Sequence, residues 1–218
     1  MKVKICGITR LEDALLAVDA GADLLGLNFY KPSPRSIDID SATILCDALR
    51  EKLGENCPTL VGVFVNMAMG DISIITEKVG LDFAQLSADE TNDMLLELRG
   101  IGFKSIQPMN MDMALDDLTY FSSSMPDDER SPSILLDAYH PSLYGGTGEQ
   151  ASEDVALAVK ERVPRMMLAG GLNPENIAER VKSIRPWGVD VASGVEDGTA
   201  GIKSAEKMRA FIKLAKEA

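Results

Sequence analysis

The sequence predicts a closed (β/α)8 barrel over residues 1–218, and three observations carry that expectation. Eight short apolar runs of strand length recur along the 218 residues, amphipathic stretches separate them, and each unit takes about 27 residues, the size of one βα repeat. The runs are continuously apolar rather than alternating, the pattern of parallel strands covered on both faces. An open doubly wound sheet usually holds fewer strands and carries a G-x-G-x-x-G after the first, whereas this chain reads "CGITRLED" there. No linker, charge block or low-complexity stretch divides the chain, so one domain is expected throughout.

The elements follow in order. The strand runs are "VKICGI" (3–8), "LLGLNF" (24–29), "LVGVFV" (60–65), "DFAQL" (82–86), "FKSIQ" (103–107), "SILLDA" (133–138), "MMLAG" (166–170) and "VDVAS" (189–193). Between the first two, Thr9 and Glu12 form a capping box ahead of a helix that carries Leu11, Ala14, Leu15 and Val18 on one face and stops at Gly21. Segments 40–52, 69–79, 91–99, 112–122 and 152–161 supply the next helices. In "NPENIAERVKSI", Asn173 is placed as N-cap, Pro174 at the first helical position, and Ile177, Val181 and Ile184 inward. Ser204 caps the last helix, which turns Met208, Phe211, Ile212 and Ala215 inward. The polar stretch 122–133 reads as a mobile loop on the N-terminal face.

Composition narrows the function classes. The formal charge of −12 disfavours nucleic acid, yet a pocket of backbone N–H groups can still hold a small anion. Cys6, Cys46 and Cys57 form no C-x-x-C pair, and a disulfide framework or zinc site is not expected. A lone histidine, His140, argues against an imidazole metal centre and reads as a solvated loop residue. No apolar run reaches a membrane span and the N-terminus lacks a signal-peptide layout, so a cytoplasmic protein is expected.

In such a barrel, chemistry sits where the strands end. The exits offer Cys6, then Arg35 in "KPSPRS", Asn66, Gln85 with Ser87, Asp137, Gly170-Gly171, and Asp190 leading to Ser193-Gly194. The last two exits read as an anion cradle, because glycines let backbone N–H groups approach a phosphate. Cys6 is either a small buried hydrophobe or a reagent. Alternation puts Lys4 on its face, and Lys4 is expected to pair with Asp190 on the neighbouring eighth strand and to favour the Cys6 thiolate. Asp137 closes an apolar run, where partial desolvation suits a general acid. The Arg35 fork suits a carboxylate. Gly146 lies in "GGTG" (145–148), a loop expected to shape the mouth of the site. Cys46 and Cys57 read as structural.

Taken together, "KICGITRLEDALLAVDAGADLLGLNFYKPSPRSI", "VGVFVN", "LLDA…GGTG", "LAGGLNPENI" and "GVDVASGVE" resemble the phosphoribosylanthranilate isomerase family of tryptophan biosynthesis, in the family's order and from end to end. The resemblance implies a barrel that needs no metal or cofactor and an Amadori rearrangement of a phosphosugar. It implies Cys6 as general base, Asp137 as general acid, Arg35 on the anthranilate carboxylate, and Gln85, Ser87 and Asp190 on the substrate. Gly146, Gly170, Gly171, Ser193 and Gly194 would hold the phosphate, in a monomer or homodimer. Three segments depart from the family: Ser87 stands for a histidine in "QLSADE", Gln107 for a lysine in "IQPMN", and "EQASEDV" lacks an aromatic wall. They cluster at the substrate's aromatic end. A phosphosugar isomerase for another N-substituent and a non-catalytic phosphosugar-binding relative are therefore the alternatives.

Overall fold

In a computed structural model that describes residues 1–138 and 152–218, eight parallel strands hydrogen-bond in sequence order and close into a barrel. They are β1 (Lys2–Cys6), β2 (Leu24–Asn28), β3 (Thr59–Phe64), β4 (Phe83–Leu86), β5 (Gly102–Ile106), β6 (Ile134–Leu136), β7 (Met166–Leu168) and β8 (Gly188–Val191). The helices α1 (Leu11–Asp19), α2 (Ile39–Leu53), α3 (Met69–Val79), α4 (Asn92–Glu97), α5 (Met111–Tyr120), α6 (Glu153–Lys160), α7 (Ile177–Ile184) and α8 (Ala205–Glu217) alternate with them. β1 and β8 shut the ring, with Lys4 in register with Asp190.

Each strand is apolar on two sides for two different reasons. Outward residues such as Ile5, Leu27, Phe64, Leu136, Leu168 and Val189 join the helices in one large core. Inward residues form a separate plug of Leu24, Val61, Phe83, Phe103, Leu135, Met167 and Ala169, with Trp187 against it. Two residues further along β2, β3, β4, β5 and β6, the same inward rows carry Gly26, Val63, Gln85, Ser105 and Asp137. Period-two geometry thus converts an apolar floor into a polar mouth at the C-terminal end.

Several local expectations change. Thr9 does not cap α1; its hydroxyl donates to the Gly201 carbonyl at 2.8 Å, tying the first βα loop to the last. Arg10 takes the N-cap position with no side-chain cap bond. On α1 the buried positions are Asp13, Ala14 and Ala17, because Asp13 turns inward to accept the Lys203 backbone N–H; Leu11, Leu15 and Val18 pack half-buried. α7 begins at Ile177 rather than at Pro174, while the Asn173 side chain accepts from the Glu175 and Asn176 N–H groups and caps the turn that leads in. Ser204 caps α8 as expected. The stretch 122–133 is not a loose loop: Ser131 and Ser133 are buried, and the Arg165 guanidinium donates to the Ser131 and Pro126 carbonyls.

Candidate active site

Lys4 is fully buried, and its ammonium lies 2.9 Å from Asp190 Oδ1. The pair expected across the β1–β8 seam therefore exists, and removing either partner would strand a buried charge. Asp190 and Cys6 more than offset the burial that would otherwise discharge Lys4, so its pKa rises. Cys6 sits one inward position above Lys4. Burial pushes its thiol up, and the opposing pull of Lys4 and Lys203 does not overcome that. The expected positive field is present, but the expected net preference for thiolate is not: the site at rest holds a thiol.

Room for the thiol comes from β2. A Cβ on Gly26 would stand 2.8 Å from Cys6 Sγ, 3.1 Å from Lys4 Nζ and 3.2 Å from Cys6 Cα, so side chain and backbone would both have to shift. Gly26→Ala is expected to fold with a loss of about 1–3 kcal/mol, the ordinary cost of overpacking, and to lower turnover by displacing Sγ. Thermal unfolding and steady-state rates on the same preparation check both halves.

Asp137 ends the inward row of β6. Burial raises its carboxyl to about 6, against hydrogen bonds that favour the anion. Those bonds come from Gln107 Nε2 to Oδ2 at 3.1 Å and from the Ala138 N–H to Oδ1 at 2.8 Å. Gln107 was legible only as a departure from the resembled family; its position two beyond Ser105 on the inward row is the signal that puts it against the acid.

Cys6 and Asp137 open into one cavity of about 580 Å³, lined also by Asn28, Ser33, Arg35, Gln85, Ser87, Ser105, Gln107 and Asp190. Gln85 donates through Nε2 to Ser87 Oγ at 3.1 Å, and its buried Oε1 has no partner among the described residues. The β4–α4 loop that carries Ser87 is firmly held. Glu90 accepts from the Asn66 and Ala88 N–H groups and pairs with buried Lys104 at 2.8 Å. Among the described residues Val63 is the one large aliphatic side chain that lines this cavity.

Arg35 reaches this cavity, and its fork already holds a carboxylate: Nε is 2.7 Å from Glu196 Oε1 and Nη2 2.9 Å from Oε2. Glu196 and its second partner Lys203 lay outside the sequence reading. A second cavity of about 340 Å³ shares Asp137, Asp190 and Ala192 with the first and is lined by Gly170, Gly171 and Ser193. Gly170 and Gly171 have φ of 85° and 58°, and their N–H groups donate to nothing among the described residues. A Cβ on Gly170 would meet Asp137 Oδ1 at 3.1 Å, so the cradle abuts the acid. Gly194 does not line this cavity. It lets the turn after β8 (Ser193–Val195) approach β7's loop, where a Cβ would overlap the Leu172 carbonyl oxygen at 1.9 Å. Cys46 is buried in α2 with its thiol pushed to about 12 by burial, and Cys57 is half-buried near it. Gly146 and His140 fall outside the described residues.

A buried carboxyl and a buried thiol beside a glycine-lined cavity at the C-terminal mouth are the arrangement of a (β/α)8-barrel enzyme. Residues 3–214 match the family model for N-(5'phosphoribosyl)anthranilate (PRA) isomerase. The chain is 42% identical over 218 residues to an N-(5'-phosphoribosyl)anthranilate isomerase of Trichlorobacter lovleyi, covering 100% of this chain and 99% of the relative. It is similar to the crystal structure of the phosphoribosyl anthranilate isomerase of Thermotoga maritima, with a TM-score of 0.85, 33% identity and full coverage of both chains. A second crystal structure, of a phosphoribosyl anthranilate isomerase in complex with reduced 1-(o-carboxyphenylamino)-1-deoxyribulose 5-phosphate, gives a TM-score of 0.82 at 33% identity, again with full coverage of both chains. The chain belongs to the N-(5'-phosphoribosyl)anthranilate isomerase family.

Proposed function

We propose that this chain performs the family's Amadori rearrangement with Asp137 as general acid and Cys6 as general base. N-(5'-phosphoribosyl)anthranilate becomes 1-(2-carboxyphenylamino)-1-deoxyribulose 5-phosphate, a step of tryptophan biosynthesis. The observation that carries the assignment is the placement of Asp137 and Cys6 in one cavity, with an N–H cradle directly beside the acid.

The chemistry runs in three moves. Protonated Asp137 gives its proton to the furanose ring oxygen as the C1–oxygen bond breaks, leaving a hydroxyl and a cationic imine. A buried carboxyl that keeps its proton to about pH 6 is suited to that transfer. The new cation beside Cys6 adds to the field of Lys4 and Lys203, so the thiol gives up its proton to solvent in the open cavity and stands as thiolate. Cys6 then takes the proton from C2, the electrons neutralise the imine as an enolamine, and tautomerisation gives the ketone. Gly170, Gly171 and Ser193 hold the phosphate through backbone N–H groups, with Gly194 fixing the turn; Gly146, outside the described residues, is assigned to the same phosphate by the family resemblance alone. Arg35 meets the anthranilate carboxylate, and Gln85 and Ser87 offer polar contacts beside it. Asp190 acts through Lys4, to which it is paired.

The same family membership supports reading the chain as one working unit, cytoplasmic and monomeric or homodimeric. Among the described residues no helix is long and apolar enough to cross a membrane. The test is turnover of N-(5'-phosphoribosyl)anthranilate generated in place, followed by loss of its fluorescence. Rapid loss is expected with no added metal or cofactor. Tight binding of the reduced product analogue without turnover would instead make the chain a binding relative.

A further inference from the structure

We propose that Glu196 and Lys203 are positioning residues for Arg35, and that together they set the preference for a negatively charged N-substituent on the sugar. The proposal rests on the reading that Arg35 meets the substrate's carboxylate. Glu196 engages Nε and Nη2 of Arg35 at 2.7 and 2.9 Å, which fixes the plane of the guanidinium. Nη1 has no partner among the described residues, and Arg35 lines the substrate cavity. On geometry alone the fork is aimed and one edge is left for a ligand.

Charge raises a difficulty that Lys203 resolves. A bidentate Arg–Glu pair is neutral as a unit and would attract an incoming carboxylate weakly. Lys203 shares the same anion: Nζ lies 3.2 Å from Glu196 Oε1 and 2.9 Å from the Ala192 carbonyl. Its side chain is 0% exposed, and that of Glu196 is 7% exposed. Two cations on one carboxylate leave the cluster with one net positive charge. Asp13 behind it accepts the Lys203 backbone N–H, and Lys207 in front donates to the Glu196 carbonyl, so the two flanking charges offset each other. The Gly201 N–H adds a further bond to Glu196 Oε1 at 2.9 Å, holding the anion in place. The excess charge of Lys203 is thus delivered to the substrate through Arg35 without Lys203 touching it.

The test compares N-(5'-phosphoribosyl)anthranilate with N-(5'-phosphoribosyl)aniline, which lacks the carboxylate. Lys203→Met is expected to raise KM for the carboxylate substrate about tenfold or more, the usual effect of weakening a hydrogen bond to a charged group. KM for the aniline compound should stay near wild type; the fall in kcat that follows from losing the pull of Lys203 on the Cys6 thiol should be equal for the two compounds, and Lys203→Arg should restore the preference. If Lys203→Met does not fold, Lys203→Gln keeps a donor to the Ala192 carbonyl without the charge and carries the same comparison. Equal rises in KM on both substrates, or no change in KM on either, would overturn the proposal. Arg35→Met run alongside separates the two layers. If it weakens both substrates equally, the Arg35 reading itself fails; if it removes the carboxylate preference while Lys203→Met leaves that preference intact, only the present inference fails.

Discussion

Asparagine in place of Asp137 is expected to lower kcat by about 10²–10⁴-fold while making the folded protein more stable at neutral pH. The rate falls because an amide has no proton to give the ring oxygen. The stability rises because the wild-type protein holds a carboxylate where burial opposes it, with a carboxyl raised to about 6. Near pH 3 the folded and unfolded chains both carry this proton, and the group contributes no difference. Between about pH 4 and 6 the unfolded chain ionises while the folded one resists, so wild-type stability falls as pH rises. At roughly 1.4 kcal/mol per pH unit the penalty reaches about 3 kcal/mol above pH 6. The amide of Asp137→Asn escapes it and still accepts the Ala138 N–H through its oxygen. Urea unfolding of both proteins from pH 3 to 8 should show the variant's advantage grow across that window and then level off. A difference that is flat with pH would mean that Asp137 is not held in a proton-retaining environment.

Cys6→Ser should fall in a similar range, about 10²–10⁴-fold in kcat, with ligand affinity largely intact. Burial holds the thiol above its ordinary pKa against the pull of Lys4 and Lys203, and the cation formed during the reaction adds to that pull. A hydroxyl in that position does not ionise under the same field, so C2 keeps its proton. The smaller oxygen fits the space that Gly26 leaves, so the barrel should fold as before. Rates compared with affinity for the reduced product analogue separate loss of the base from loss of the pocket. Wild-type kcat in Cys6→Ser would return Cys6 to the status of a buried hydrophobe.

Much of this was legible because barrels repeat one rule eight times. The continuous apolar runs located all eight strands, with ends shifted by at most two residues where outward packing stops but apolar letters continue, as at Gly7-Ile8 and Ala138. Pairing of Lys4 with Asp190 followed from side-chain alternation plus closure, both properties of the chain and the fold. Four things were not legible. Thr9 looked like a cap because local sequence does not reveal a partner 192 positions away, the Gly201 carbonyl. The protonation state of Cys6 depended on how far burial outweighs two lysines, and one of them, Lys203, reaches the site from beyond β8. Glu196 and Gln107 act only through other side chains, Arg35 and Asp137, and a residue whose function is to hold another leaves no motif of its own. Gly194 looked like part of the cradle because a glycine required for close backbone approach and one required for N–H exposure read alike.

The division of labour between acid and base is tested most directly with substrate deuterated at C2 of the ribose, comparing kcat for the light and heavy compounds in wild type, Cys6→Ser and Asp137→Asn. Removing the base makes C2–H cleavage limiting, so the isotope effect should rise in Cys6→Ser above its wild-type value. Removing the acid makes ring opening limiting, so the effect should fall toward unity in Asp137→Asn. The reverse pattern, or equal effects in both variants, would contradict the roles given to Cys6 and Asp137.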